Sequence, residues 1–277
     1  MKERYQDIET KTAELRERME RLPKLAQDFQ DKFEMSWIYH DAALEGIVYT
    51  APELEAALGR ARVPGEAQMM PIMLEIRNHR EACRFIRAEA EATRKSPQIT
   101  LTTIKRIHDL LCGNTPEALA SRAAIERREK SEKELVKERD RVGYRKDMPL
   151  HRTYFHEIAQ PPKIQPMLEK LVDHTSSAEF REDHPLRQAG TIQHMFLQIF
   201  PFAENSGKVA RMLTNLLLLR NGLEPVIIHS IDRQRYYEAF RGTAGSFRSL
   251  LLDAMDNSLD NGLKYFREAE RRARMRG

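Results

Sequence analysis

The sequence predicts an all-α protein with one short extended segment. Three observations carry this. Tyr5, Ile8, Thr12, Leu15, Met19 and Leu22 alternate three and four residues apart, which is a helical seam. Helix start and stop residues then recur along the chain, from Pro23 to Cys112-Gly113-Asn114. Only Met148 to Ile158, with Thr153, Tyr154, Phe155 and Ile158, collects β-branched and aromatic residues in the manner of a strand.

The elements follow in order. The first seam spans about three heptads and ends at Pro23. It suits either a helix packed on its own domain or a dimerising coiled coil, so a homodimer is one expectation. A second helical stretch runs from Lys24 toward Tyr49. Thr50-Ala-Pro-Glu reads as an N-cap with proline just inside a new helix, broken at Pro64-Gly65. Residues 66 to 94 have helical pattern and composition, and Ser96-Pro97 stops them. Thr100 or Thr102 starts the next helix, with Ile104, Ile107, Leu110 and Leu111 on its apolar face. Residues 122 to 141 carry 14 charges among 20 positions, which predicts a solvated helix or an insertion. Leu216 to Leu219 read as part of a buried core helix.

Composition narrows the function classes. The chain has 277 residues, enough for a substantial core. Charged residues make up 32%, yet the net charge is only +4, so the signs are mixed and nucleic acid is not the expected partner. Cys83 and Cys112 lack metal-like spacing and read as thiols in a reducing compartment. No apolar run approaches the roughly 20 residues of a membrane span. The first residues lack a signal-peptide core, so a cytoplasmic location and no membrane partner are expected.

The stretch from His194 to Gly222 carries most of the functional signal. A polar loop, Ala203 to Gly207, opens into an apolar helix with Lys208 and Arg211 in its first turn. A helix start offers free N–H groups and a positive dipole end, so it favours anions. Residues three apart share a face, so the two cations are expected to reach one anion. Glu204 adds a carboxylate where a hard cation could bridge protein and phosphate. Together they suggest a site for a nucleotide's phosphates. Lys208 and Arg211 would also serve as plain ion-pair partners of Glu45 or Glu204.

Phe200-Pro-Phe-Ala-Glu-Asn-Ser-Gly-Lys-Val-Ala-Arg211 resembles the core motif of the Fic (Fido) family of AMP-transferring enzymes, His-Pro-Phe-x-Asp/Glu-Gly-Asn-Gly-Arg-x-x-Arg. Pro201, Phe202, Glu204, Gly207 and Arg211 match. Lys208 keeps the charge, Asn205 and Ser206 replace the Gly-Asn pair, and Phe200 stands where the family has its catalytic histidine. Flanking landmarks agree: Asp183-His184-Pro185-Leu186, His194 and Phe196 before the motif, and Arg233 to Ala239 after it. Gly143-Tyr144-Arg145 and Pro161-Pro162 stand where the family has its target-binding flap. Asp41-Ala-Ala-Leu-Glu45-Gly46 resembles the family's autoinhibitory motif, with Asp41 for its serine and Ile47 for its asparagine. The resemblance spans roughly residues 36 to 260.

The resemblance implies an all-α, Fic-type helical bundle with a short β-hairpin flap. It implies an N-terminal helical region, 1–95, with the degenerate inhibitory motif near 41–46, then a Fic-like core, 96–262, and a basic tail, 263–277. ATP or another nucleotide with Mg2+ would be the cofactor. Phe202, Asn205, Ser206, Gly207, Lys208 and Arg211 would bind the nucleotide phosphates, Glu204 the metal, and Glu45 would pair inhibitorily with Arg211. No catalytic residue is assigned, because Phe200 has no titratable proton. Losing a positioned base typically costs about 10²- to 10⁴-fold in rate. Glu45 is the candidate replacement, by aligning water. His194, His229, His151 and His156 are weaker candidates, better read as packing, surface or partner-facing histidines.

Three functions are compatible with these residues. The first is a catalytically degenerate protein that keeps a nucleotide pocket and acts by binding or regulating a protein partner. The second is an active enzyme of unusual chemistry, transferring or removing AMP through Glu45 or another histidine. The third is a structural subunit with no ligand. The first is the expectation adopted.

Overall fold

The computed structural model describes residues 2–59, 70–94, 98–114, 143–149 and 157–275. Among them the structure is helical. Helices α1 (Lys2–Arg21), α2 (Pro23–Leu44), α3 (Ala51–Ala57), α4 (Met70–Ala92) and α5 (Leu101–Leu111) form the first part. A 3₁₀ turn, Pro161–Lys163, leads into α6 (Ile164–Thr175), α7 (Ala178–Glu182), α8 (Pro185–Ile199) and α9 (Ser206–Arg220). Then come α10 (Arg233–Arg241) and the long α11 (Ala244–Arg274).

Local sequence explains most boundaries. Pro23 opens α2 and separates it from α1, as the missing N–H of proline requires. Thr50 and Glu53 form a reciprocal capping box at α3. Thr100 caps α5 by accepting from the Thr103 N–H at 3.0 Å. Gly113, at φ 70°, turns the chain out of α5. Helix α3 stops at Ala57 and Gly59 takes φ 75°, before the expected break; Pro64-Gly65 and Ser96-Pro97 lie outside the described residues.

Helix α9 is the axis of the fold. It is buried at almost every position, with α8, α4, α5 and α2 around it. Leu216, Leu217 and Leu218 are within the core, as their run predicted. Helix α11 closes the far side against α8, α10 and α1.

The α1 seam is spent within the chain. Ile8, Thr12 and Leu15 are buried, and α1 runs parallel to α11. Gly262 lets the helices approach, since a Cβ there would lie 3.2 Å from Leu15 Cδ1. Pairs Arg4–Asp253 (2.6 Å), Lys11–Asp256 (2.6 Å) and Arg18–Glu270 (2.9 Å) line the edge. The basic stretch from 263 onward is the end of α11 rather than a separate tail, and its Leu263 and Phe266 are core residues.

No strand occurs among the described residues, so the expected β-hairpin flap is not seen. The backbone flanking it is tied elsewhere. Arg145 N–H donates to Pro201 O at 2.8 Å and Ala159 N–H to Gln198 O at 2.9 Å. Both flanks are thereby fastened to the end of α8 and the loop that follows it. Residues 150–156, with His151 and His156, lie outside the described residues, as does the charged stretch 122–141. No helix in the described chain is long and apolar enough to cross a membrane.

The α1–α11 packing gives a test. Leu15→Ala should lower unfolding free energy by about 2–5 kcal/mol through the cavity it leaves. Arg4→Ala, at a half-exposed ion pair, should cost less than about 1 kcal/mol. Urea midpoints of the two variants check the contrast.

Candidate functional site

The site begins at a corner between α8 and α9. Phe200 ends α8 in the left-handed region, at φ 47° and ψ 63°. For a bulky side chain that conformation costs on the order of 1–3 kcal/mol and persists only when its surroundings enforce it. The enforcing group is Arg145. This buried guanidinium donates to Phe200 O (2.7 Å) and Ile199 O (3.3 Å), carbonyls that the end of α8 leaves open, and across to Ala159 O. A cation at a helix C-terminus also suits the dipole.

Beyond the corner the loop folds on itself. Ser206 Oγ accepts from Phe202 N–H and donates to Phe202 O, both at 2.9 Å. Phe202 is fully buried and stacks on His108, with centroids 3.8 Å apart. Burial lowers the His108 pKa to about 4, so its ring is neutral, although a hydrogen bond with Glu204 backbone pulls the other way. Asn205 takes φ 61°, the conformation for which a glycine is suited and which asparagine tolerates best among other residues. Its amide reaches Cys112 Sγ at 3.5 Å, leaving the start of α9 without a side-chain cap from Asn205.

The two cations of the first turn diverge rather than sharing one anion. Lys208 Nζ pairs with Glu75 Oε1 at 2.9 Å. Burial would raise the Glu75 pKa, but Lys208 outweighs it and lowers it. Arg211 points inward, where every guanidinium nitrogen has an acceptor. Nε donates to Asp41 Oδ1, Nη2 to Asp41 O at 3.1 Å, and Nη1 to the Tyr236 hydroxyl at 2.7 Å. Nη2 also lies 2.8 Å from Glu45 Oε1. The other Asp41 oxygen is 2.8 Å from His79 Nε2. Burial pushes Asp41 up, but Arg211 and His79 overcome it and hold the carboxyl at about 2. Burial likewise lowers His79, against the pull of Asp41.

Glu45 sits directly over the α9 start. A methyl group at Gly207 would collide with its carboxylate and lie 3.2 Å from Arg211 Nη1. Gly207 is therefore needed for close approach rather than for an unusual φ. An acid seated against the first turn of a 15-residue helix is what the dipole and free N–H groups favour.

A cavity of about 880 Å³ opens in front of this corner. Of the expected site residues, Glu45, Glu204, Asn205, Ser206, Gly207 and Lys208 line it, and Phe200 does too. Phe202 does not; its ring is part of the core beneath the loop. Arg211 does not either, because Asp41, Glu45 and Tyr236 enclose it. His194 is buried beside Phe247 and bonds Gly242 O at 3.2 Å, a packing role. His229 packs against His40 in a tilted arrangement, ring centroids 4.3 Å apart, away from the cavity lining.

The donor set fits an anionic ligand at the helix start, since a carboxylate already occupies that place. Phosphates would be held by the backbone of Ser206 and Gly207 and by Lys208, once Glu45 withdraws. Glu204 is one carboxylate on the cavity wall, and no group of three metal-ligating side chains occurs among the described residues. A cation there would need oxygens from the ligand itself, as magnesium with phosphates commonly does.

Asp41, His79, Glu75, Arg145 and Tyr236 were not predicted as site residues. His79 carried a signal: it falls within the apolar stripe Met73, Ile76, Cys83, Ile86 of α4, and a polar side chain on a core face needs a partner.

A helical protein with an anion seat at the start of its central helix, and a cavity in front of it, is the class these features define. Residues 98–218 match the family model described as the Fic/DOC family. Over these residues the chain is similar to this family. Protein adenylyltransferase Fic of Nematostella vectensis is 26% identical over 202 residues, which is 73% of this chain and 41% of the relative. Protein adenylyltransferase fic-1 of Caenorhabditis elegans is 23% identical over 207 residues, 73% of this chain and 35% of the relative. The chain thus spans under half the length of these relatives. Among solved structures, a Fic domain containing signaling protein from Bacteroides thetaiotaomicron VPI-5482 superposes with a TM-score of 0.69 at 20% identity. It covers 93% of this chain and 98% of that one. Fic-1 from C. elegans gives 0.68 at 17% identity, over 95% and 71%. At such identities the likeness is one of fold.

Asp41 sets a pH dependence. Its folded pKa, about 2, lies below the ordinary 3.8, so its stabilising contribution is present above pH ~4 and drains as the pH falls toward 2. Asp41→Asn should lose about 3–5 kcal/mol at pH 7, as expected for breaking a buried pair. It should also flatten the acid limb between pH ~4 and 2. Urea unfolding across that range checks both. At Asn205, replacement by Gly should change stability by less than about 1 kcal/mol, whereas Ala should cost about 1–2 kcal/mol for its left-handed φ.

Proposed function

We propose that this chain is a catalytically degenerate Fic-type protein. It binds a nucleotide or phosphate ligand in the 880 Å³ cavity and acts by binding or regulating a protein partner, with little ordinary AMP transfer. The single observation that carries the reading is Phe200. Phe200 lines the cavity and stands in the sequence where the family motif has its proton acceptor, and its side chain has no lone pair to offer. Proton abstraction from a target hydroxyl then lacks a group, a loss of about 10²- to 10⁴-fold, or roughly 3–5 kcal/mol of barrier.

The remaining residues support retention of a ligand. Ser206, Gly207 and Lys208 line the cavity beside the uncapped helix start, and Glu204 faces the same space. A bound ATP would supply the phosphate chemistry, with Glu204 contributing to its magnesium. Glu45 in its ion pair with Arg211 has the character of an internal inhibitor, since it holds the anion seat against Gly207. The relatives named as adenylyltransferases make AMP transfer the reaction to test.

Calorimetric titration with ATP and Mg2+ is the direct test. The native chain should bind weakly, and Glu45→Ala should tighten binding about tenfold or more by vacating the helix start. Transfer of labelled AMP should stay at least about a hundredfold below that of an intact relative in both proteins. Phe200→His alone should recover little, because Asn205, Ser206 and Lys208 also differ. Labelling by the native chain at the rate of active relatives would refute the degenerate reading.

A further inference from the structure

We propose that Asp41 is a second, fixed lock on Arg211, so that the cavity takes nucleoside diphosphates as readily as triphosphates and gains nothing from a terminal phosphate. The inference rests on the nucleotide-pocket reading above and adds the ligand class.

Arg211 carries two carboxylates of different character. Glu45 stands at the C-cap of α2, where the helix has ended and the side chain reaches out over Gly207. It lines the cavity, and 16% of its side-chain surface is exposed. Asp41 is one turn earlier, inside the helix, with 3% exposed, and buried Trp37, Ile38 and Ala42 surround it in sequence. One of its oxygens accepts from Arg211, the other lies 2.8 Å from His79 Nε2, and its carbonyl accepts from Arg211 as well. Glu45 can therefore leave by rotating into the cavity, whereas Asp41 has nowhere to go.

Removing Glu45 leaves the guanidinium still held. Nε keeps Asp41 Oδ1, Nη2 keeps Asp41 O, and Nη1 keeps the Tyr236 hydroxyl. Its charge stays neutralised by a carboxylate that is anionic at any working pH. What the departure of Glu45 does free is the start of α9 and the cavity face of Gly207. Those groups serve whichever phosphates lie nearest, and they do not count how many follow. Lys208, engaged with Glu75, is common to both ligands too.

The experiment compares ATP with ADP, each with Mg2+, on the native chain and two variants by calorimetry. In the native chain and in Glu45→Ala, the two dissociation constants should agree within about threefold. In Asp41→Ser combined with Glu45→Ala, ATP should bind about tenfold or more tighter than ADP, the value of one new charge-assisted contact. A thermal melt confirms that the double variant is folded. The Glu45→Ala comparison stands without it. Tenfold preference for ATP in Glu45→Ala alone overturns the second lock and leaves the pocket intact. Absence of binding by either nucleotide to every protein removes the pocket reading, and this inference falls with it.

Discussion

One buried guanidinium organises this protein. Arg211 lies in the first turns of the central helix and is gripped from two directions. Asp41 and Glu45 come from α2, and Tyr236 comes from α10. Burying such a charge without partners would cost several kcal/mol, so the positions of α2 and α10 relative to α9 are set by the need to meet it. His79 extends the chain of contacts to α4 through Asp41. Four helices thus converge on a single ionic knot directly behind the cavity. The knot explains why the motif arginine, though matched in sequence, does not look into the cavity at all.

The same arrangement makes the site self-contained in charge. Lys208 meets Glu75, and Arg211 meets Asp41 and Glu45. A ligand phosphate arriving at the helix start competes with carboxylates that are already attached to the fold. On the proposed reading, binding is a displacement whose strength depends on how easily Glu45 yields.

Much of the fold was legible because its signals are local. Thr50 with Glu53, Thr100, Pro23 and Gly113 act within one or two turns, and each appears in the structure as its chemistry predicts. The Glu45–Arg211 pair was legible through the resemblance of two motifs far apart in sequence. What could not be read was direction. Residues three apart on α9 predicted a shared anion for Lys208 and Arg211, yet the partners Glu75 and Asp41 draw them apart. Phe202 matched the motif but belongs to the core, because its stacking on His108 depends on where α5 lies. The seam of α1 carried no mark of its partner, and only the packing with Gly262 of α11 resolves that choice.

The corner at Phe200 has a consequence for how such a site changes over time. Its backbone course is dictated by Arg145 gripping three carbonyls, and none of those contacts involves the side chain at position 200. Architecture and reactivity are thereby uncoupled at the residue where they would most be expected to coincide. A lineage can exchange the chemical tool at this vertex while the supporting frame stays as it was, and so trade turnover for recognition without rebuilding the molecule.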